Sequence, residues 1–299
     1  MSIDAKHICV CVCTYKRPEM LRLLLSKLVE QETDRLFSHS IVIVDNDVSE
    51  SARHVVESHA LESAVSIRYY VEPEQNIALA RNKATANARG DFIAFMDDDE
   101  FPQRDWLACL YRTCNKFDAD GVLGPVLPYF NVAPPRWVLQ GKYFDRPTHK
   151  TGTVLPWYNT RTGNVLFDAS ILQGDREPFN REFGSGGEDR HFFRRMIGQG
   201  RKFVWCNEAP VYEVIPPERW KKSFMLRRAL LRGTNPSFTK LSVAKSLFAI
   251  PVYTLSLPFL WFFGPHVFMK YLLKDCDHLG RVLSFLGFRV IKDKYVTTS

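Results

Sequence analysis

Four consecutive carboxylates, Asp97, Asp98, Asp99 and Glu100, follow directly on the apolar run Phe92–Met96. Carboxylates packed this closely repel one another and lose hydration if buried in a core. They are tolerable at the carboxyl end of a buried strand, where an open α/β sheet has its ligand crevice. A hard divalent cation relieves the repulsion. Mg²⁺ takes one or two protein carboxylates and completes its shell with water and phosphate oxygens. The run therefore predicts a metal–diphosphate site; the competing reading is an acidic, solvated turn. A second chemical stretch is Phe183–Gly200, where Gly184, Gly186 and Gly187 precede Glu188 and Asp189 at the start of a helix. The helix dipole alone favours acidic residues in a first turn. The functional reading is that glycine backbone lets a substrate approach while one carboxylate serves as a general base.

The elements that must position these groups follow from apolar patterning. Ile8–Thr14 is apolar before Thr14 and reads as a central strand of a parallel sheet, buried on both faces. Pro18 opens a helix carrying Met20, Leu21, Leu24, Leu25, Leu28 and Val29 at helical spacing. Strands are expected at Ile41–Val44, Ser66–Val71 and Phe92–Met96, and helices at Ser51–Ala60, Asn76–Ala88 (closed by Gly90) and Asp105–Phe117. This alternation predicts an α/β, doubly wound sheet. It brings Thr14, Tyr15, Lys16 and Arg17, then Asp45, then Asp97–Asp99, to the carboxyl ends of strands, where all can line one crevice. No GxGxxG or GxxxxGK[ST] is present, so a nucleotide would be held by side chains and metal.

Gly121–Gly174 is rich in proline and aromatic residues, including Pro134, Pro135, Trp137, Trp157 and Tyr158, and reads as a loop-rich wall with faces for sugar rings or for ordinary packing. Thr162–Asn164 precedes a short strand, Val165–Phe167, and Val204–Tyr212 reads as strand and turn. Pro216–Arg232 is a basic amphipathic helix of the kind that lies on anionic membrane surfaces. Leu247–Met269 then runs 23 residues without Asp, Glu, Lys or Arg, but Pro251, Pro258 and Pro265 interrupt it. A monotopic or re-entrant membrane segment is expected, ahead of a true span and a buried hairpin. Residues 201–299 hold 16 Lys/Arg against 6 Asp/Glu, while residues 1–200 hold 24 against 27. No nucleic-acid-binding motif accompanies the basic tail, so membrane is favoured over nucleic acid. The seven cysteines show no CxxC spacing and MSIDAKHICVCVC shows no secretory signal pattern, which predicts reduced thiols and a cytoplasmic setting.

In order along the chain, VCVCTYKRP, IVIVDND, EQNIALARN, GDFIAFMDDDEFP, TGN and GGEDRHFFRRM resemble the family 2 glycosyltransferases of GT-A fold. The variants VDND, QNIALARN, DDDE and GPV, with VYEVIPPERW, are most similar to succinoglycan-type exopolysaccharide glucosyltransferases. The resemblance implies a mixed, mainly parallel sheet. It implies a glycosyltransferase domain over 1–214, divided into nucleotide-sugar binding (1–120) and an acceptor and base region (121–214). The remaining 215–299 would be a membrane-associating helical segment at the cytoplasmic face of the inner membrane.

The same resemblance implies an inverting enzyme that uses Mg²⁺ or Mn²⁺ and a nucleotide-sugar, UDP-glucose, and moves one sugar onto a polyprenyl-diphosphate-linked oligosaccharide. Thr14, Tyr15, Arg17, Asp45, Asn76, Arg81, Asp97 and Asp98 would bind the donor. Asp97 and Asp99 form the DXD pair at the metal, and Asp189 is the base beside Glu188. Asn164, Trp137, Arg219 and Trp220 would face the acceptor. Pro216 stands where processive relatives carry glutamine before the Arg219–Trp220 pair, which favours single-sugar addition. A sugar-1-phosphate nucleotidyltransferase and a non-catalytic membrane scaffold are the alternatives. The first lacks its glycine-rich loop at TYKRP; the second leaves the carboxylate clusters unused.

Overall fold

The computed structural model describes residues 6–184, 186–233 and 240–288. The leader reading at residues 1–5, Ser185 of the glycine-rich stretch, and parts of the C-terminal segment (234–239 and 289–299) lie outside the described residues. In chain order the elements are β1 (Lys6–Thr14), α1 (Pro18–Leu28), β2 (Phe37–Asp45), α2 (Arg53–Glu62), β3 (Ile67–Val71), α3 (Ile77–Asn87), β4 (Phe92–Asp97), β5 (Glu100–Pro102), α4 (Trp106–Lys116), β6 (Gly121–Leu123) and β7 (Val126–Tyr129). They continue with α5 (Arg136–Gly141), β8 (Asn164–Asp168), α6 (Glu188–Gly198), β9 (Phe203–Trp205), β10 (Val211–Val214), α7 (Lys222–Arg232), α8 (Lys240–Leu260) and α9 (Pro265–Phe285). The chain divides into two compact units, Met1–Leu127 with Arg146–Glu213, and Pro128–Asp145 with Val214–Ser299. Segment 128–145, read from sequence as part of the acceptor region, thus groups with the C-terminal segment.

The first unit is built on a seven-stranded sheet in the order β3-β2-β1-β4-β8-β6-β9. The β1, β2, β3 and β4 pairings are parallel, as the βαβ alternation requires, while β8 runs antiparallel to both neighbours, so the sheet is mixed. Alternate β1 side chains enter opposite layers. Ile8, Val10 and Val12 join the core beneath α1, α2 and α4, and Cys9 and Cys11 join the core with α3 and α6. This two-sided burial is why β1 reads as continuously apolar. All seven cysteines are free. Gly90 does not close α3: the helix ends at Asn87, and a Cβ at Gly90 would lie 2.7 Å from the His7 carbonyl oxygen. Close passage over β1, not a left-handed cap, excludes a side chain there.

In the second unit, Met225 and Ala229 of α7 pack with Met269 and Leu273 of α9. The predicted basic helix begins as a 3₁₀ turn at Pro217–Trp220, and α7 proper starts only at Lys222. The apolar run does not form one straight rod. α8 carries Pro251 and Pro258 within it, a 3₁₀ turn covers Trp261–Phe263, and Gly264 at φ 107° breaks the chain before Pro265 opens α9. The two helices form a hairpin in which α8 exposes Phe248 (80%) and Leu255 (72%) and the following turn exposes Phe262 (86%), so a buried core hairpin is excluded.

Candidate functional site

The carboxyl end of β1 meets the acidic run through Asp98. Its Oδ2 accepts the Thr14 hydroxyl at 2.8 Å and its Oδ1 accepts Arg17 Nη1 at 2.9 Å. Parallel pairing of Cys13 with Asp97 sets this register. Asp98 is buried and holds Thr14 and Arg17 in place. Burial pushes its carboxyl up, against the pull of Arg17. Arg17 also reaches Asp99 Oδ2 at 3.2 Å. Burial and the adjacent Asp98 push the Asp99 carboxyl up to about 7. Tyr15 is half-buried, with the Lys16 ammonium 5.2 Å from its ring centroid.

Asp97 is different: its side chain remains 45% exposed. Arg81 Nη2 on α3 contacts Asp97 Oδ1 at 3.3 Å, and Arg81 Nη1 pairs with Glu188 in the first turn of α6. One buried guanidinium thereby ties the end of β4 to the helix that carries Asp189. Asp189 is half-exposed, and its Oδ1 accepts the Arg190 amide at 2.7 Å. Gly187 precedes the helix at φ 101°, a left-handed conformation suited to glycine. Gly184 lies so close to Asn76 that any side chain would collide with it.

A second set of charges adjoins Asp97. β10 pairs antiparallel with β5 so that Glu213 stands opposite Glu100. Glu213 is paired with Arg146. Glu100 is 2% exposed, and neither of its carboxyl oxygens has a hydrogen-bond partner among the described residues. Burial, then Asp97, Asp99 and Glu213, hold the Glu100 carboxyl well above the ordinary glutamate range. A Cβ on Gly163 would lie 2.9 Å from Glu100 Oε1 and 3.0 Å from Asp97 Oδ2, so glycine there opens the space between the two carboxyls. Arg161 stands two residues before it, half-buried. Arg146, Arg161 and Glu213 were not singled out from sequence. Arg161 had a signal in its place beside TGN; Arg146 and Glu213 had none, because only tertiary pairing brings them here.

Several expected ligand contacts are committed to the fold. Asp45 is fully buried and accepts the amides of Asp47 (3.0 Å) and Ala52 (2.9 Å) and the Tyr69 hydroxyl (2.9 Å). Asn76 caps α3 by accepting from Ala78 and Leu79, and its amide donates to the Arg181 carbonyl. Asn164, expected to orient acceptor or base, is fully buried. It accepts Trp106 Nε1–H at 2.8 Å and donates to the Pro125 and Ala209 carbonyls. Trp137, Arg219 and Trp220 belong to the second unit, where Trp137 packs on Tyr143 and Trp220 on Phe130. The first unit thus gathers Thr14, Arg17, Arg81, Asp97, Asp98, Asp99, Glu188 and Asp189.

No three Asp, Glu, His or Cys side chains converge in ligand geometry among the described residues. A divalent cation that completes its shell with phosphate and water needs only one or two protein oxygens. The buried carboxyl of Glu100, whose oxygens find no hydrogen-bond partner among the described residues, lies beside Asp97, and such orphaned oxygens fit a site that a cation completes.

The model of glycosyl transferase family 2 matches residues 9–172, and that of glycosyl transferase family group 2 matches residues 92–288. The succinoglycan biosynthesis protein ExoM of Rhizobium meliloti (strain 1021) is 36% identical over 239 residues, 78% of this chain and 75% of that protein. The hyaluronan synthase of Pasteurella multocida is 26% identical over 242 residues, 70% of this chain but 24% of the synthase. The crystal structure of S. aureus TarS 1–349 in complex with UDP matches with a TM-score of 0.55 at 16% identity, over 96% of this chain and 94% of that one. At that identity the likeness concerns the fold, which is of GT-A type.

Proposed function

The chain belongs to glycosyl transferase family 2, and we propose that it transfers a single glucose from UDP-glucose, with inversion, onto a polyprenyl-diphosphate-linked oligosaccharide in bacterial exopolysaccharide biosynthesis. The observation that carries this reading is the Arg81 bridge, which joins the exposed Asp97 to the helix turn bearing Asp189. The likeness to ExoM supports the exopolysaccharide setting.

In this reading Asp97 and Asp99 would hold a divalent cation. When bound, it supplies positive charge to the departing diphosphate. Arg17 and Arg81 orient the acidic run from either side. Asp189 accepts the proton of the acceptor hydroxyl as that oxygen bonds to the anomeric carbon. The bond between anomeric carbon and phosphate oxygen breaks, and its electron pair leaves with the nucleoside diphosphate. Attack and departure on opposite faces invert the centre, the same logic as in inverting glycosidases. Glu188, paired to Arg81, keeps the first turn of α6 in position.

The second unit supplies the membrane contact in this reading. Thr254 of α8 donates to Asp275 of α9 at 2.9 Å, and His278 and Arg281 contact Ser246 at 3.0 and 3.1 Å. α9 therefore lines α8 with charged groups along the hairpin. A true span would carry Asp275, Asp277 and Arg281 into hydrocarbon, at a cost of several kcal/mol, about 2.5–3.5 for each charge. Insertion of the exposed α8 face alone, at the cytoplasmic leaflet, avoids that cost.

The test is release of nucleoside diphosphate by the purified chain with Mg²⁺ or Mn²⁺, a panel of nucleotide sugars, and lipid-linked oligosaccharides from a membrane extract. Extract-dependent UDP release from UDP-glucose is expected. Asp189→Asn should lower turnover about 10²–10⁴-fold while leaving nucleotide affinity intact. Nucleoside triphosphate formed from pyrophosphate would instead make it a nucleotidyltransferase. Absence of both turnover and metal-dependent nucleotide binding would leave a scaffold.

A further inference from the structure

Four arginines surround the carboxylates of the first unit, and three are paired. Arg17 contacts Asp98 and Asp99, Arg81 contacts Asp97 and Glu188, and Arg146 contacts Glu213. Arg161 makes no hydrogen bond or ion pair among the described residues, although its side chain is half-buried. Its loop is fixed: Thr160 and Thr162 on either side are buried, and Gly163 abuts the carboxyls of Asp97 and Glu100. Glu100, Asp189 and Glu213 lie within electrostatic reach of the guanidinium, and so does the like charge of Arg146. Burial and Arg146 both disfavour its charge. A guanidinium held this way, short of a partner among the described residues beside three arginines that are each paired, is poised for an anion brought by a ligand.

We propose that Arg161 is the receptor for a phosphoryl group of a substrate. This rests on the glycosyl-transfer reading above. A guanidinium offers parallel N–H donors that match phosphate oxygens in a two-point contact. Two sources carry that chemistry in this reading: the diphosphate of the donor and the diphosphate that links the acceptor glycan to its lipid.

The experiment compares the full-length protein with Arg161→Ala and with Arg161→Lys, each checked by thermal melting for an intact fold. One arm measures binding of uridine, UMP and UDP with Mg²⁺. If the donor is the source, Arg161→Ala binds UDP about 10- to 100-fold more weakly and uridine unchanged. The other arm measures KM for the lipid-diphosphate-linked oligosaccharide and for the same glycan released from its lipid. If the acceptor is the source, UDP affinity is unchanged and only the KM of the lipid-linked form rises by that factor. Arg161→Lys, which keeps the charge without the fork, should lose less in whichever arm responds. Wild-type affinities in both arms for Arg161→Ala would overturn the proposal and leave glycosyl transfer standing. A wild-type protein that binds no UDP and turns over no acceptor would overturn both.

Discussion

Arg81 and Glu188 form a buried ion pair that connects α3 to the first turn of α6, their side chains 8% and 5% exposed. Removing one member of such a pair leaves an uncompensated charge, which costs about 3–5 kcal/mol, whereas replacing both by apolar groups is often near neutral. Glu188→Leu leaves Arg81 with Asp97 as its remaining carboxylate, so its cost should fall at the low end of that range. Arg81→Met strands Glu188 and should fall at the high end. The double substitution should recover much of the lost stability in urea unfolding. It should not recover turnover, because the tether between Asp97 and the Asp189 helix is gone. Equal stability losses that simply add would deny the coupling.

The α/β alternation, the strands that end at Thr14, Asp45 and Asp97, and the crevice they imply were legible because each rests on local pattern. β1 is apolar on both faces since it is central, and a run of four carboxylates marks a strand's carboxyl end, although the fold buries Asp98 and Glu100 of that run. What could not be read were roles decided by tertiary pairing. Asp45 and Asp97 both end strands, yet Asp45 spends its oxygens on Asp47, Ala52 and Tyr69 while Asp97 stays exposed. Asn164 sits in a motif that invites a ligand role, but the junction of Trp106, Pro125 and Ala209 takes its hydrogen bonds. Glu213 meets Glu100 only through the β5–β10 register, about a hundred residues apart in sequence, and no spacing rule predicts that.

Glu100 gives the protein a pH dependence of definite sign. In the folded chain its carboxyl is held well above the ordinary glutamate range by burial and by Asp97, Asp99 and Glu213. Above the ordinary glutamate pKa of about 4.3 the unfolded chain has released the proton that the folded chain still holds. The unfolded state then binds fewer protons, so this group's contribution to stability declines as pH rises. Glu100→Gln keeps the shape and removes the titration. In chelator, its melting temperature should exceed that of the parent at about pH 8 and approach it at about pH 5. A gap that widens on acidification would contradict the burial account.

The membrane reading makes a prediction confined to one helix face. Leu255 and Phe259 are 72% and 70% exposed on α8, so polar substitutions there leave folding within about 0.5 kcal/mol. If that face enters a leaflet, each side chain contributes about 1.5–3 kcal/mol to partitioning. Leu255→Glu or Phe259→Glu should then weaken sedimentation with anionic vesicles by about 10- to 100-fold, since about 1.4 kcal/mol is tenfold. The basic residues act differently. Lys270 and Lys274, near the start of α9, contribute through the surface potential, so their replacement by Gln should lower binding at low salt and matter little at high salt. An apolar face that inserts and a basic flank that steers are thereby separable. Vesicle binding abolished by salt alone, with Phe259→Glu unaltered, would make the attachment purely electrostatic and leave the exposed α8 face to a protein partner.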